Sequence, residues 1–98
     1  GAVVQPDTKI GRHVILNTSC SIDHDGVVGD FAHLAPGVHL SGNVTIGEGV
    51  LMGVGSCGKP GVTIAPGITV GAGAAVVTNL HEPGTYVGVP ARLRLGTR

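Results

Sequence analysis

The chain has 98 residues, and its six Lys or Arg are balanced by six Asp or Glu. This neutral charge, without a basic cluster ahead of the C-terminal tail, argues against a nucleic-acid partner, and no apolar run is long enough to predict a membrane span. Only Phe31 and Tyr86 are aromatic, which excludes a core of packed aromatic rings.

From Val4 to His81 the chain repeats a six-residue unit thirteen times without a break. The first position of the unit is aliphatic or Met in twelve cases, and only Gly58 departs. A period of six fits neither a plain strand nor an amphipathic helix, but it fits a chain that turns after every short strand. Three such sides close a triangular coil. The repeat therefore predicts an all-β fold, a left-handed parallel β-helix of about four triangular coils and one extra side.

Each position of the unit has a predicted role. Residues one coil apart stack at the strand spacing of roughly 4.8 Å, with the first-position side chains in a shared core. Glycine recurs at the second position, where we expect the chain to bend or to pack closely: Gly11, Gly29, Gly47, Gly53 and Gly71.

The end of the repeat divides the chain into two predicted regions. We expect residues 1–81 to form the β-helix domain. Residues 82–98 leave the six-residue frame at Pro83 and Gly84, and we expect them to form a C-terminal tail.

The two cysteines, Cys20 and Cys57, are about two coils apart along the predicted solenoid, or roughly 10 Å at the strand spacing. That distance exceeds the reach of an unstrained disulfide. We therefore expect a reduced, cytoplasmic chain with two small buried thiols.

Residues 16–39 carry nearly all the side chains capable of chemistry, which are Asn17, Cys20, Asp23, His24, Asp25, Asp30, His33 and His39. Histidine is suited to proton transfer near neutral pH, and an adjacent carboxylate can orient an imidazole. His24 has Asp23 before it and Asp25 after it, and we expect at most one of them to pair with it. On residue types alone, His24 is either a catalytic base or a surface histidine beside solubilising acids.

Val54 and Ala72 should lie on one corner, one coil apart, with glycines on both sides of each. Such a column offers bare backbone N–H and C=O groups along a narrow groove, where an extended ligand could bind to successive coils. The alternative is that these glycines only form corners.

The motifs carry a resemblance to a known family. The repeat is similar to that of the hexapeptide-repeat acyltransferases, and three segments narrow the likeness: NTSCSIDHD from Asn17, GDFAH from Gly29 and GVPAR from Gly88. They resemble the sialic acid O-acetyltransferase-like group, which includes the UDP-4-amino-sugar N-acetyltransferases of bacillosamine-type sugar biosynthesis. The resemblance covers residues 4–92.

The resemblance implies an acetyl-CoA-dependent acetyltransferase that acts on an amino or hydroxyl group of a sugar or nucleotide sugar by direct transfer. It implies a homotrimer with sites between neighbouring β-helices, and no metal. Similar proteins usually carry an N-terminal nucleotide-sugar-binding domain, so we expect residues 1–98 to represent only the acetyl-transfer half.

The resemblance also assigns roles to residues. His24 would be the general base, and Asp25 the acid that orients it. Asn17 would shape the acceptor site, and His33 matches a histidine near the acetyl thioester. Two further residues match backbone contacts along the pantetheine arm of acetyl-CoA, namely Val54 and Ala72.

Two other functions compete with this interpretation. A zinc hydrase of the trimeric β-helix carbonic anhydrase type needs three histidines to converge. His24, His33 and His39 should lie on different sides of the coil, so they could converge only across subunits, and their spacing does not resemble that family's. A non-catalytic trimeric β-helix module is the second alternative, and nothing in the residues excludes it.

Overall fold

The computed structural model describes residues 1–94, which form only strands and turns. They contain no helix long and apolar enough to cross a membrane. Thirteen two-residue strands follow one another at intervals of six residues: β1 Val3–Val4, β2 Lys9–Ile10, β3 Ile15–Leu16, β4 Ser21–Ile22, β5 Val27–Val28, β6 His33–Leu34, β7 His39–Leu40, β8 Thr45–Ile46, β9 Leu51–Met52, β10 Cys57–Gly58, β11 Thr63–Ile64, β12 Thr69–Val70 and β13 Ala75–Val76. Two more strands close the order: β14 Thr85–Val87 and β15 Arg92–Leu93.

The strands form the three flat sides of a triangular solenoid. Sheet 1 contains β1, β4, β7, β10 and β13; sheet 2 contains β2, β5, β8 and β11; sheet 3 contains β3, β6, β9, β12, β14 and β15. Within the repeat, every strand pairs in parallel with the strand one coil away, as Ser21 pairs with His39. The predicted left-handed β-helix is confirmed, with about five turns where about four coils and one side were expected.

Four-residue turns form three corners. Corner 1 joins sheets 1 and 2 and contains residues 5–8, 23–26, 41–44 and 59–62. Corner 2 joins sheets 2 and 3 and contains residues 11–14, 29–32, 47–50 and 65–68. Corner 3 joins sheets 3 and 1 and contains residues 17–20, 35–38, 53–56 and 71–74. In a triangle each corner is opposite one side. Corner 1 is therefore opposite sheet 3, and corner 2 is opposite sheet 1.

First-position side chains fill the core from the second coil onward. Those from Ile22 to Val76 are almost completely buried. Each fully buried aliphatic side chain contributes about 1.5–3 kcal/mol relative to an exposed one. The first coil differs: Val4 is 43% and Ile10 39% exposed, because no further coil packs against that end in the structure.

The chain bends at the fourth position of the unit, and the expectation of bends at the second position was wrong. From Asp7 to Gly73, all twelve fourth-position residues have φ between +56° and +78°. The second-position glycines instead permit close packing between coils, which was the alternative role expected of them. A Cβ atom on Gly47 would lie 2.5 Å from the backbone nitrogen of Pro66 on the next coil.

Beyond residue 81 the chain leaves the six-residue spacing but continues to pair with the solenoid. Just before that point Leu80 forms a parallel bridge with Ile64, and beyond it β14 pairs in parallel with β12. The Tyr86 hydroxyl donates to the backbone oxygen of Glu82 at 2.8 Å. The last four residues of the expected tail, 95–98, lie outside the described residues.

The two thiols occupy different environments. Both cysteines are free, Cys20 being buried and Cys57 exposed. The expectation that both are buried was therefore wrong for Cys57, whose sixth-position side chain lies on the outer face of sheet 1. Burial raises the pKa of the Cys20 thiol.

Thiol labelling should separate the two cysteines. With a membrane-impermeant maleimide, and at a protein concentration low enough to keep the chain monomeric, we expect Cys57 of the native chain to react within minutes and Cys20 to react only after unfolding. A Cys57→Ala variant should remain unlabelled until denaturant is added, as followed by mass spectrometry. Rapid native labelling of that variant would contradict the burial of Cys20.

Two neighbouring glycines should respond differently to a methyl group. Gly47→Ala places Cβ against the backbone of the next coil, and we expect it to lower the free energy of unfolding by about 3 kcal/mol. Gly49→Ala meets no atom within 4 Å and should cost about 1 kcal/mol for its left-handed backbone. Chemical denaturation of both variants tests this difference, and equal losses would contradict it.

Candidate active site

His24 and Asp25 lie side by side on corner 1. Asp25 is at a fourth position with φ of +58°, a conformation that aspartate tolerates better than most residues. Its Oδ2 lies 3.1 Å from Nδ1 of His24. Because a carboxylate only accepts, Nδ1 donates this hydrogen bond, and Nε2 of the neutral ring keeps its lone pair. Of the two flanking acids that the residue types left open, Asp25 is the one that pairs with His24, and it is the acid that the resemblance named.

The imidazole of His24 lies over Gly42, the residue one coil further along the same corner. A Cβ atom on Gly42 would be 2.7 Å from both Cε1 and Nε2 of the ring. Gly42 therefore provides the space in which the ring sits. Sequence reasoning missed this residue, although its separation from His24 by one coil length was the signal that could have identified it.

His33 lies on the outer face of sheet 3, paired in register with Ile15 on one side and Leu51 on the other. Its Nε2 is buried and has no hydrogen-bond partner among residues 1–94. Leaving a buried polar atom unpaired costs about 1–3 kcal/mol. This nitrogen is the one buried side-chain polar atom of the described residues in that condition, so its hydrogen-bonding capacity is left for a group outside residues 1–94.

Corner 3 holds the remaining candidate residues. Val54 and Ala72 are both exposed and lie one coil apart, as predicted: the N–H of Gly73, next to Ala72, donates to the backbone oxygen of Val54 at 2.8 Å. Added Cβ atoms on Gly55 and Gly73 would meet nothing within 4 Å. This strip of the corner therefore presents backbone that a ligand can approach closely.

Asn17 belongs to the same corner, two coils below Val54. Its side-chain oxygen accepts a hydrogen bond from the backbone N–H of Thr18 at 2.8 Å. This contact fixes the side chain at the corner, on the N-terminal side of the exposed strip.

One chain does not bring all these residues together. His24 and Asp25 are on corner 1, which is opposite the sheet that carries His33, and the solenoid is about 20 Å across. The residues form two groups, which we name by the roles that the resemblance implies. The base group is His24 and Asp25, and the donor group is His33, Val54 and Ala72, with Asn17 on the same corner as the last two. The two groups lie on either side of sheet 1.

The third histidine of the zinc hypothesis lies apart from the other two. His39 is on sheet 1, where its Nδ1 is 2.6 Å from Oγ of Ser21. The three histidines thus occupy a corner and two different sheets, as their spacing predicted. Residues 1–94 contain no group of three or more side chains placed to hold a metal ion.

Several solved structures of acetyltransferases are similar to this chain. The acetyltransferase domain of PglB from Neisseria gonorrhoeae FA1090 is 35% identical over 95% of this chain, with a TM-score of 0.87; it has also been solved with acetyl coenzyme A. A His-to-Ala mutant of GDP-perosamine N-acetyl transferase from Caulobacter crescentus, in complex with CoA and GDP-perosamine, is 34% identical over 97%, with a TM-score of 0.88. This chain spans 54% of the length of each.

A maltose O-acetyltransferase from Clostridium difficile 630 shares the fold, with 23% identity, a TM-score of 0.82, and coverage of 94% of this chain and 64% of its own. No family model matches the chain. These structural neighbours are hexapeptide-repeat acetyltransferases, and the resemblance of the repeat to that class is confirmed.

A methyl group on Gly42 should displace the imidazole of His24. In Gly42→Ala we expect the ring to rotate off the corner and its hydrogen bond to Asp25 to be lost, with a shift of the His24 ring nitrogens in long-range 1H–15N spectra. Gly61→Ala is the matched control, since a Cβ atom there meets nothing within 4 Å. Unchanged His24 signals in Gly42→Ala would contradict the packing of the ring against Gly42.

Proposed function

We propose that this chain is the acetyl-transfer part of an acetyl-CoA-dependent acetyltransferase that acts on the amino or hydroxyl group of a sugar, in particular a nucleotide sugar. The observation that carries the proposal is the His24–Asp25 pair, with Nδ1 bound to the carboxylate at 3.1 Å and Nε2 left as a proton acceptor. The pair lies in a β-helix that is 34–35% identical to two acetyltransferase structures, one of them solved with a nucleotide sugar.

In this mechanism His24 is the general base. Its Nε2 takes a proton from the attacking amine or hydroxyl as a bond forms to the carbonyl carbon of the acetyl thioester. The carbon–sulfur bond then breaks, CoA leaves as the thiolate, and the proton passes from His24 to that sulfur. Asp25 holds the ring in the required tautomer and stabilises the imidazolium between the two proton transfers. The products are the acetylated sugar and free CoA.

The donor group would bind acetyl-CoA. The pantetheine arm is proposed to run along corner 3, where the backbone beside Val54 and Ala72 can accept and donate hydrogen bonds on successive coils. Nε2 of His33, buried and unpartnered, is proposed to meet the thioester end. Asn17 would contact the acceptor at the N-terminal end of this strip.

A complete site is proposed to form between copies of the chain in a homotrimer. The base group and the donor group lie on either side of sheet 1, so a ring of three copies with sheet 1 toward the axis would bring corner 1 of each copy to corner 3 of the next. Cyclic symmetry repeats the same contact three times. The chain is proposed to work in the cytoplasm, in accord with its two free thiols.

Removing the base should abolish transfer without disturbing the fold. The His24 side chain is 62% exposed, so we expect His24→Ala to keep the oligomeric mass and the unfolding midpoint while turnover falls by roughly 100-fold or more. Turnover is followed as release of free CoA thiol, with a panel of amino-sugar nucleotides as acceptors in the full-length protein. Undiminished turnover in this variant would overturn the role of His24.

Mixed trimers should restore part of the lost activity. If each site takes His24 from one copy and His33 from the next, His24→Ala and His33→Ala chains refolded together at equal amounts should recover about a quarter of wild-type turnover, because about a quarter of the interfaces are intact. Each variant alone should be inactive. The absence of recovery in mixed trimers of verified composition would contradict the shared site.

A further inference from the structure

The outer face of sheet 1 carries an imidazole that the proposed reaction does not use. Five residues in register form the ladder of this face: Val3, Ser21, His39, Cys57 and Ala75. His39 has the longest side chain among them, and it is exposed in the single chain. The ladder contains no Lys, Arg, Asp or Glu, so no carboxylate on it pairs with the imidazole.

A hydrogen bond orients the imidazole of His39. Its Nδ1 lies 2.6 Å from Oγ of Ser21, one coil below, and this is the one hydrogen bond of the His39 side chain among residues 1–94. When Nδ1–H donates to that oxygen, Nε2 keeps its lone pair. A ring held by a hydrogen bond from Nδ1, with Nε2 free, is the arrangement typical of a histidine that binds a metal.

The trimer proposed above brings three copies of this imidazole together. Sheet 1 of each copy faces the three-fold axis in that trimer, and cyclic symmetry places the three His39 side chains at one height around the axis. Flat faces approach until their longest side chains touch, and the neighbours of His39 on the ladder, Ser21 and Cys57, are both shorter. The three imidazoles are therefore the first groups of this face to meet.

Three Nε2 lone pairs directed at one point are unfavourable unless something binds between them. A divalent transition metal ion satisfies all three at once. Imidazole nitrogens bind Zn²⁺ at about 2.0–2.1 Å, and three of them leave a fourth tetrahedral position for water. Each chain supplies a single ligand, in accord with the finding that residues 1–94 of one chain contain no three-ligand group.

We propose that a divalent transition metal ion binds on the three-fold axis, held by Nε2 of three His39 side chains that Ser21 orients. The site rests on the trimer of the proposed function, but it takes no part in acetyl transfer, because it lies on sheet 1 and apart from His24 and His33. Its role is to hold the three copies together. Cys57 is not a ligand in this site, since a thiol must first lose its proton to bind a metal.

Bound zinc tests the site directly. The full-length protein, without a polyhistidine tag, is stripped of metal with a chelator, incubated with Zn²⁺, dialysed and analysed for zinc. We expect one ion for every three chains, and a higher unfolding midpoint for the zinc-loaded trimer. His39→Ala should remove this zinc. Ser21→Ala should weaken zinc binding roughly ten-fold, because it removes the hydrogen bond that orients the ligand.

His13→Ala is the matched control, because it removes an exposed histidine from corner 2, which points away from the axis, and it should leave zinc binding unaltered. Cys57→Ser should also leave it unaltered. Zinc that is lost in Cys57→Ser but kept in His39→Ala would overturn the imidazole site.

The remaining outcomes separate this site from the proposed function. A trimer that holds no zinc, or whose zinc affinity is the same in His39→Ala, would overturn the site and leave the proposed function standing. A monomeric chain would overturn the trimer, and this site with it. Absence of acetyl transfer in a trimer that binds zinc through His39 would support the site and count against the proposed function.

Discussion

The hydrogen-bond ladder between successive coils is the constraint on which the whole structure depends. The N–H of His33 donates to Val50 at 2.9 Å, and the N–H of Leu51 donates to Ile68 at 3.0 Å, so each side of the triangle is held by the side above it. The ladder keeps parallel strands in register one coil apart. In a repeat protein each unit contacts mainly its neighbours, so this local register is transmitted along the entire solenoid.

Register decides which side chains meet on the outer surface. The imidazole of His24 has room because its upper neighbour is Gly42, and Phe31 rests on the ring of His13 because the two lie one coil apart. Neither contact joins residues that are close in sequence. The register that packs the core also decides where a corner side chain has room, because a glycine one coil away leaves space for it, as Gly42 does for His24.

Triangular closure separates the candidate catalytic groups. A chain that turns after every strand distributes consecutive units over three sides, so the corner that carries His24 and the sheet that carries His33 are opposite each other in one copy. In the trimer proposed above, they combine between copies. The fold thereby links the proposed chemistry to assembly, and it leaves the corner that carries Phe31 directed outward.

The repeat in the sequence determined the strand spacing, the triangular coil, the core positions from Ile22 onward and the shared corner of Val54 and Ala72, because all of these follow from a period of six. The repeat and the residue types could not distinguish Asp23 from Asp25 as the partner of His24, although the family resemblance named Asp25. They also did not place the bend at the fourth position, because both features depend on backbone torsions that residue types do not specify. The exposure of Cys57 and the role of Gly42 were missed as well. Only the tertiary structure decided these points, since packing between coils, and not the local chain, determines which atoms have room and which remain without a partner.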